Sequence, residues 1–150
     1  MVAMITEENQ LKKIYSDIIP SNAYEVVEEI KTIMERLKVT SDIDAEKQFD
    51  IKVILSELLQ NAITHGNGCD NDKKIYIDVW LQENSKVLSI SVRDQGPGFD
   101  PSPVLNLSGI SGFDPENMDE SGRGLLIVQN LCDYLEFNTM GNAVTVTKRL

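Results

Sequence analysis

Three polar side chains recur at four-residue spacing between residues 57 and 65. They are Glu57, Asn61 and His65, in the run Glu-Leu-Leu-Gln-Asn-Ala-Ile-Thr-His. Such spacing places side chains in a line along one face of a helix. An Asn oxygen suits Mg²⁺ that is also held by phosphates, a Glu one turn away can orient or deprotonate a hydroxyl, and His65 can donate to a phosphate. The alternative interpretation is a solvent-exposed helix edge that carries these polar residues without any chemical role.

A carboxylate between closely spaced glycines follows further along the chain. Asp94 begins the run Asp-Gln-Gly-Pro-Gly, which contains Gly96 and Gly98. A partly buried carboxylate there can accept a hydrogen bond from the exocyclic amine of adenine, and the glycines let the backbone approach the base. Guanine presents a carbonyl at that position, so such a site selects adenine. Asp-x-Gly is also an ordinary turn signature.

A second glycine pair, Gly122-Arg123-Gly124, opens an apolar run that begins at Leu125. Free N–H groups at a helix start form an anion site, and Arg123 adds a charge that can reach phosphate. The chain has neither a Walker A motif nor a complete Gly-x-Gly-x-x-Gly after a strand. The three segments together indicate a pocket for ATP and Mg²⁺.

Periodicity predicts the elements that carry these residues. Asn22-Ala-Tyr-Glu25 resembles a capping box and opens a helix at about 22–38. A second helix follows the polar stretch 40–44 and stops at Gly66-Asn-Gly68. Alternation then predicts strands at 75–81 and 88–92 with a hairpin at 83–86 between them.

The rest of the chain completes the prediction. The turn-rich stretch 99–121 reads as a long loop. A helix at about 123–134 and strands near 135–139 and 143–149 come after it. Residues 11–19 fit either a helix or a strand. The order of elements predicts a single domain over 1–150, an α/β two-layer sandwich with helices on one face of a mixed sheet.

Bulk properties exclude several classes of function. The net charge is −10, with 24 acidic against 14 basic residues, so direct nucleic-acid binding is disfavoured. Apolar runs are too short for a membrane span, and the start of the chain has no secretion signal. Cys69 and Cys132 form no Cys-x-x-Cys pair, so neither a zinc site nor a disulfide framework is expected. A reducing cytoplasm is the predicted location.

The three segments resemble the GHKL, or Bergerat-fold, ATP-binding domain of gyrase-type topoisomerases, heat-shock chaperones, histidine kinases and MutL. Glu57-x-x-x-Asn61 is similar to its N box, Asp94-x-Gly-x-Gly98 to its first glycine box and Gly122-x-Gly124 to its second. The bacterial anti-sigma-factor serine kinases are most similar, through Asn61-Ala-Ile-Thr-His-Gly, Phe99-Asp-Pro and the run from Gly122 to Asp133.

The resemblance implies roles for individual residues. Asn61 holds Mg²⁺, Glu57 is the general base, Asp94 binds adenine and 99–121 is a mobile ATP lid. It also implies a mainly antiparallel sheet, a strand near 11–19 and a possible homodimer. The resulting nucleotide-binding set is Asn61, His65, Asp94, Gly96, Gly98, Gly122, Arg123, Gly124, Leu125 and Asn142.

One position departs from the resembled pattern. The family often places Thr beside a Gly near the adenine, where this chain has Asn142 after Gly141. An Asn can still hydrogen-bond a water next to Asp94, so weaker binding is expected rather than none.

Three functions fit the sequence. The first is an ATP-dependent serine/threonine kinase that sequesters a sigma factor and phosphorylates a small antagonist protein in a partner-switching pathway. The second is a histidine-kinase catalytic domain acting in trans, although the only His lies inside the N box. The third is a protein-binding module that ATP controls without catalysis.

Overall fold

Three helices pack on one face of a five-stranded sheet in the computed structural model, which describes residues 10–82, 84, 86–98, 100 and 120–150. The strand order is β1-β2-β3-β5-β4, and the strands are β1 (Leu11–Pro20), β2 (Lys74–Gln82), β3 (Val87–Arg93), β4 (Tyr134–Phe137) and β5 (Ala143–Arg149). The predicted α/β fold class is confirmed. All four strand pairings in the described residues are antiparallel, so this part of the sheet is antiparallel rather than mixed.

The first helix, α1 (Ala23–Thr40), starts where its capping sequence predicts. Asn22 Oδ1 accepts a hydrogen bond of 2.9 Å from the N–H of Glu25, which satisfies one free donor of the first turn. One polar residue of α1, Glu29, is buried against β1, where the Tyr15 hydroxyl donates to Glu29 Oε1 at 2.6 Å. The segment left open as helix or strand is therefore strand β1.

The second helix, α2 (Ala45–Asn61), is capped by Asp44 Oδ1, which accepts from the N–H of Lys47 at 2.8 Å. It continues as a π-helical turn over Ala62–Gly66, which the sequence pattern does not predict. The N–H of Asn67 closes this turn by donating to Ala62 O at 2.8 Å. π-helical turns inside helices occur often at functional sites.

The third helix, α3 (Glu120–Leu131), begins before the position predicted for it. Glu120 and Ser121, expected in the loop, are already helical, and the rest of the predicted lid, apart from Asp100, lies outside the described residues. The helix ends at β5, where buried Lys148 donates to Leu131 O at 2.5 Å and pairs with Asp50 of α2 at 3.5 Å. One side chain thus ties α2 and α3 to the sheet.

The core lies between the helices and the sheet. Every second residue of β2 points inward and is at most 4% exposed, namely Ile75, Ile77, Val79 and Leu81. These residues belong to the same buried cluster as Ile33 and Leu37 of α1 and Leu55 and Leu58 of α2. Burying each such side chain contributes about 1.5–3 kcal/mol. This packing fixes α2, and hence its polar line, against β3 and β5.

Candidate functional site

A cavity of about 330 Å³ opens where the end of α2 meets the ends of β3 and β5. Its apolar wall is formed by Leu58, Ala62, Val92, Leu125, Phe137 and Val144. Its polar groups are Asn61, His65, Asp94 and Asn142. Of the predicted nucleotide-binding residues, Gly98 and Leu125 also line it. An apolar wall with a few polar groups is typical of a small-molecule site.

The polar line on α2 reaches the cavity despite the π-helical turn. Asn61 and His65 both line the cavity, and the carboxylate of Glu57 lies against Gly124 of α3. A Cβ on Gly124 would overlap Glu57 Oε2 and lie 3.6 Å from Asn61 Nδ2. A glycine at this position is therefore what allows α3 to approach the two residues assigned to chemistry.

The amide nitrogen of Asn61 is buried and donates to no group in the described residues. A buried donor without an acceptor costs about 1–3 kcal/mol. The cost disappears when a ligand oxygen accepts from Nδ2, or when the amide rotates and its oxygen faces a metal ion. This orphaned donor is the structural sign of a missing polar ligand.

Asp94 lies at the end of β3, half-buried at the base of the cavity. Its backbone N–H donates to Asn142 O at 2.9 Å, and its Oδ1 accepts from the N–H of Gly96 at 2.8 Å. Burial raises the pKa of the Asp94 carboxyl above its ordinary value, while the Gly96 N–H and the charge of Lys73 act in the opposite direction. The side chain is held by one hydrogen bond and can accept others.

Close approach explains three glycines around Asp94. A Cβ on Gly66 would overlap the Asp94 carboxylate, and one on Gly96 would overlap Gly66 O. Gly98 has φ +83° and packs on Met140 O, so a side chain is excluded both by space and by conformation. The glycines bring the Asp94 loop, the π-helical turn and the β4–β5 turn together.

A buried amide next to the cavity is a site feature that the sequence prediction missed. Asn67 is 2% exposed, accepts from the N–H of Gln95 at 2.7 Å and donates to Ser21 Oγ at 2.6 Å and Lys74 O at 3.0 Å. It thus joins the end of the π-helical turn to the residue after Asp94. Its place between Gly66 and Gly68 reads as a helix stop in the sequence, which hides this role.

A second missed residue, Asn138, fixes the orientation of Asn142. Asn138 Oδ1 accepts from the N–H groups of Asn142 at 3.0 Å and Ala143 at 3.1 Å. Its Nδ2 is therefore the donor to Asn142 Oδ1, at 2.6 Å. Asn142 lines the cavity, and because its Oδ1 accepts from Asn138, its Nδ2 is the side-chain donor that this pair leaves unused.

The second glycine pair does not open a helix. Gly122, Arg123 and Gly124 lie within α3, which starts at Glu120, so the N–H of Gly124 falls inside the helical hydrogen-bond ladder. The apolar run after the motif predicts a helix boundary there, but the helix extends through both glycines to Glu120. Arg123 is exposed and does not line the cavity.

The residues fit an adenine nucleotide with Mg²⁺. Asp94 and Asn142 present an acceptor and a donor beside an apolar wall, and Asn61 has an unpaired donor. Among the described residues no group of three or more His, Cys, Asp or Glu side chains is arranged to hold a metal. A metal bound through Asn61 therefore needs phosphate oxygens to complete its coordination.

Comparisons with known proteins agree with this arrangement. Residues 20–148 match the family described as the histidine kinase-like ATPase domain. The chain is 32% identical over 109 residues to an anti-sigma F factor of Bacillus velezensis, which covers 67% of this chain and 68% of that protein. It is 31% identical over 109 residues to an anti-sigma F factor of Bacillus subtilis, with the same coverage of each chain.

A third relative, an anti-sigma F factor of Shouchella clausii, is 32% identical over 108 residues, which cover 70% of this chain and 71% of that protein. None of the described helices is long and apolar enough to cross a bilayer.

Proposed function

Because the chain belongs to the histidine kinase-like ATPase domain family, we propose that it is an ATP-dependent serine/threonine protein kinase and an anti-sigma factor. Its substrate is a small antagonist protein, and phosphorylation releases that antagonist and frees the kinase to bind sigma. The support from comparison is that several relatives, about 30% identical over some two thirds of the chain, are named anti-sigma F factors.

The observation that carries the proposal is the unpaired Asn61 donor one turn from Glu57. Asn61 lines the cavity, and Glu57 lies beside it under Gly124. An orphaned amide and a carboxylate at one end of a cavity suit a phosphate chain and an attacking hydroxyl. A purely protein-binding surface has no need of either.

Adenine selection follows from the opposite end of the cavity. Asp94 accepts from the exocyclic amine, and Asn142 Nδ2 donates to the neighbouring ring nitrogen. Guanine carries a carbonyl and an N–H at these two places, so it presents an acceptor to Asp94 and a donor to Asn142. The pair therefore discriminates against guanine at two positions, while the weaker binding expected from Asn142 in place of Thr stays a prediction.

The chemistry assigned to the chain is proton transfer and positioning. Glu57 takes the proton of the attacking serine or threonine hydroxyl, and Asn61 holds Mg²⁺, which offsets charge on the phosphates when bound. His65 and Arg123 contribute donors to the phosphate chain. Gly124 lets α3 approach Glu57 and Asn61 without an intervening side chain.

The test is to isolate partners from the native cell with ATP or ADP present, and to incubate each with the chain, labelled ATP and Mg²⁺. The proposal requires an acid-stable phosphoserine or phosphothreonine on one partner and retention of a sigma factor. An acid-labile product supports a histidine kinase acting in trans. Nucleotide-dependent capture without any phosphorylation supports a binding module.

A further inference from the structure

Asn67 follows the π-helical turn and does not line the cavity, yet its side chain has a single possible orientation. The two N–H groups of Nδ2 donate to Ser21 Oγ at 2.6 Å and to Lys74 O at 3.0 Å. Oδ1 accepts from the N–H of Gln95 at 2.7 Å. A rotated amide would set Nδ2 against the Gln95 N–H, donor to donor. The buried oxygen of Asn67 is therefore committed to Gln95.

Gln95, the residue after Asp94, belongs to a closed ring of three hydrogen bonds. Its N–H donates to Asn67, and its own Oε1 accepts from the N–H of Lys74 at 2.6 Å. The third bond of the ring joins Asn67 Nδ2 to Lys74 O. The Gln95 side chain is exposed, whereas Asn67 is 2% exposed. The Asn67 bond is thus the buried attachment of the loop that follows β3.

This attachment determines where Asp94 lies. The peptide group between Asp94 and Gln95 is planar and includes the Asp94 Cα, so the bond from the Gln95 N–H to Asn67 fixes that plane. On its other side, the N–H of Asp94 donates to Asn142 O at 2.9 Å. With both flanking peptide groups held, only rotation of its side chain remains to Asp94. The N–H of Gly96, which donates to Asp94 Oδ1 at 2.8 Å, limits that rotation.

Asn67 also directly follows Gly66, the residue on which the Asp94 carboxylate packs. A Cβ on Gly66 would overlap that carboxylate, so the two groups are in close contact. One buried amide therefore holds the loop that carries Asp94 and lies next to the backbone against which Asp94 packs.

We propose that Asn67 is a positioning residue for adenine recognition, which acts through the Gln95 N–H to hold the Asp94 carboxylate within reach of the exocyclic amine. An N–H···O bond needs about 2.7–3.2 Å between its heavy atoms, so a shift of Asp94 by about 1 Å breaks it. This inference rests on the proposed adenine selection by Asp94. A role in stability alone would leave nucleotide selection unchanged when Asn67 is replaced.

Reciprocity gives a test in the wild-type chain. If the Asn67 bond favours adenine binding, a bound adenine nucleotide must favour the Asn67 bond to the same extent. Hydrogen exchange of the Gln95 N–H is measured by NMR without nucleotide and with saturating ADP, and exchange should slow by about tenfold. Gln95 is not among the residues that line the cavity, so slower exchange reports the bond to Asn67 rather than direct cover by the nucleotide.

The control amide is the N–H of Lys47, which a side-chain oxygen of Asp44 also holds, at 2.8 Å. Its exchange should change less than about twofold with ADP. Unchanged exchange at Gln95, or equal slowing at Lys47, overturns the inference. Because this measurement needs no substitution, it decides the inference even if a variant of Asn67 does not fold.

A double-mutant cycle then separates positioning from general stability. Calorimetry measures ATP and GTP affinity for Asn67→Ala, Asp94→Asn and the double variant. Asn67→Ala should weaken ATP binding by about tenfold and GTP binding by less than about twofold. In the Asp94→Asn background the same change should cost less than about twofold in ATP affinity, because the group that it positions has already been altered. Ser21→Ala removes another partner of the amide but leaves the Gln95 bond, and should change ATP affinity less than about twofold.

The outcomes distinguish this inference from the function on which it rests. A wild-type chain that does not prefer ATP to GTP contradicts adenine selection by Asp94, and the inference with it. A wild-type preference that Asn67→Ala leaves intact contradicts the inference alone. So do additive losses in the double variant, or a loss in Ser21→Ala equal to that in Asn67→Ala, since either result indicates a structural role only.

Discussion

The side-chain amide of Asn138 donates a 2.6 Å hydrogen bond to the side-chain oxygen of Asn142. Two backbone N–H groups fix the oxygen of Asn138, so neither amide can rotate without losing a bond. Asn142 lines the cavity together with Asp94, and its Nδ2 is not used in the bond to Asn138. Asn138, which does not line the cavity, thus determines which side-chain atom of Asn142 remains for a ligand.

Asn138→Asp should reduce the preference for ATP over GTP. Asp keeps an acceptor for both backbone N–H groups but places a second oxygen against Asn142 Oδ1, which favours rotation of the Asn142 amide. The cavity then gains an acceptor, and the ATP preference falls by about fivefold, corresponding to one hydrogen bond of about 1 kcal/mol. Calorimetry with both nucleotides measures it. Asn84→Asp, in an exposed turn, is the charge-matched control, and an equal change there would contradict the mechanism.

Acidification should weaken nucleotide binding earlier than an ordinary aspartate would. Burial raises the pKa of Asp94, so its acceptor is lost as pH falls through a value above the usual range near 4. ADP affinity is measured from pH 8 to pH 5 in the wild type and in Asp94→Asn. At pH 8 the variant binds ADP tenfold or more weakly than the wild type. The ratio of the wild-type affinity to the variant affinity shrinks on acidification. A ratio that stays constant would show that Asp94 is not the titrating group.

Glu29 should make the fold less stable as pH rises. Burial raises its pKa to about 7, and Asp17 and Glu25 act in the same direction against the Tyr15 hydrogen bond. A raised folded pKa gives stability that is full below the unfolded value, near 4.5, and is lost as pH rises through about 7. Thermal melts at pH 5 and pH 8 should differ by several degrees. Glu29→Gln should reduce the difference in melting temperature between the two pH values, whereas Glu28→Gln, at an exposed position, should leave that difference unchanged.

Glu57 and Asn61 should separate catalysis from binding. Glu57→Gln keeps the shape of the side chain but cannot take a proton, so phosphorylation should fall by about 10²–10⁴ while ATP affinity stays within a few fold. Asn61→Ala should also weaken Mg²⁺-dependent ATP binding. Calorimetry and phosphate transfer to the partner are measured on the same preparations. Wild-type transfer by Glu57→Gln would remove its assignment as base.

Gly124→Ala should impair transfer even though alanine favours helix by about 1 kcal/mol over glycine. The added methyl overlaps the Glu57 carboxylate, so α3 must move away from α2 or Glu57 must leave its position. The double variant with Glu57→Ala relieves the overlap. Thermal stability should therefore fall in the single variant and recover in the double one. Additive effects of the two changes would show that they do not touch.

Local signals predicted much of this molecule. The cap at Asn22 and the alternation in β2 are each contained within a few residues, and the structure reproduces them. The predicted polar line runs from Glu57 and Asn61 of α2 into the π-helical turn at His65. Asn67 could not be identified in this way, because its partner Ser21 is 46 residues earlier in the chain. The π-helical turn Ala62–Gly66 was not predicted either, because Gly66 marks only the end of a helix and not the type of its last turn.

Helix α3 is tied to the sheet at its C-terminal residue, at a distance from Gly124. Lys148 holds the last residue of α3 through Leu131 O, and Leu125 and Val128 of the same helix are buried. Gly124 lies seven residues before Leu131, which is about 10 Å along the helix axis at 1.5 Å per residue. A tilt of α3 by about 5° about Leu131 displaces Gly124 by roughly 1 Å. This displacement is comparable to the space that the missing Cβ of Gly124 leaves for the Glu57 carboxylate. A small tilt of α3 would therefore change the contact between Gly124 and Glu57, the residue proposed as the base.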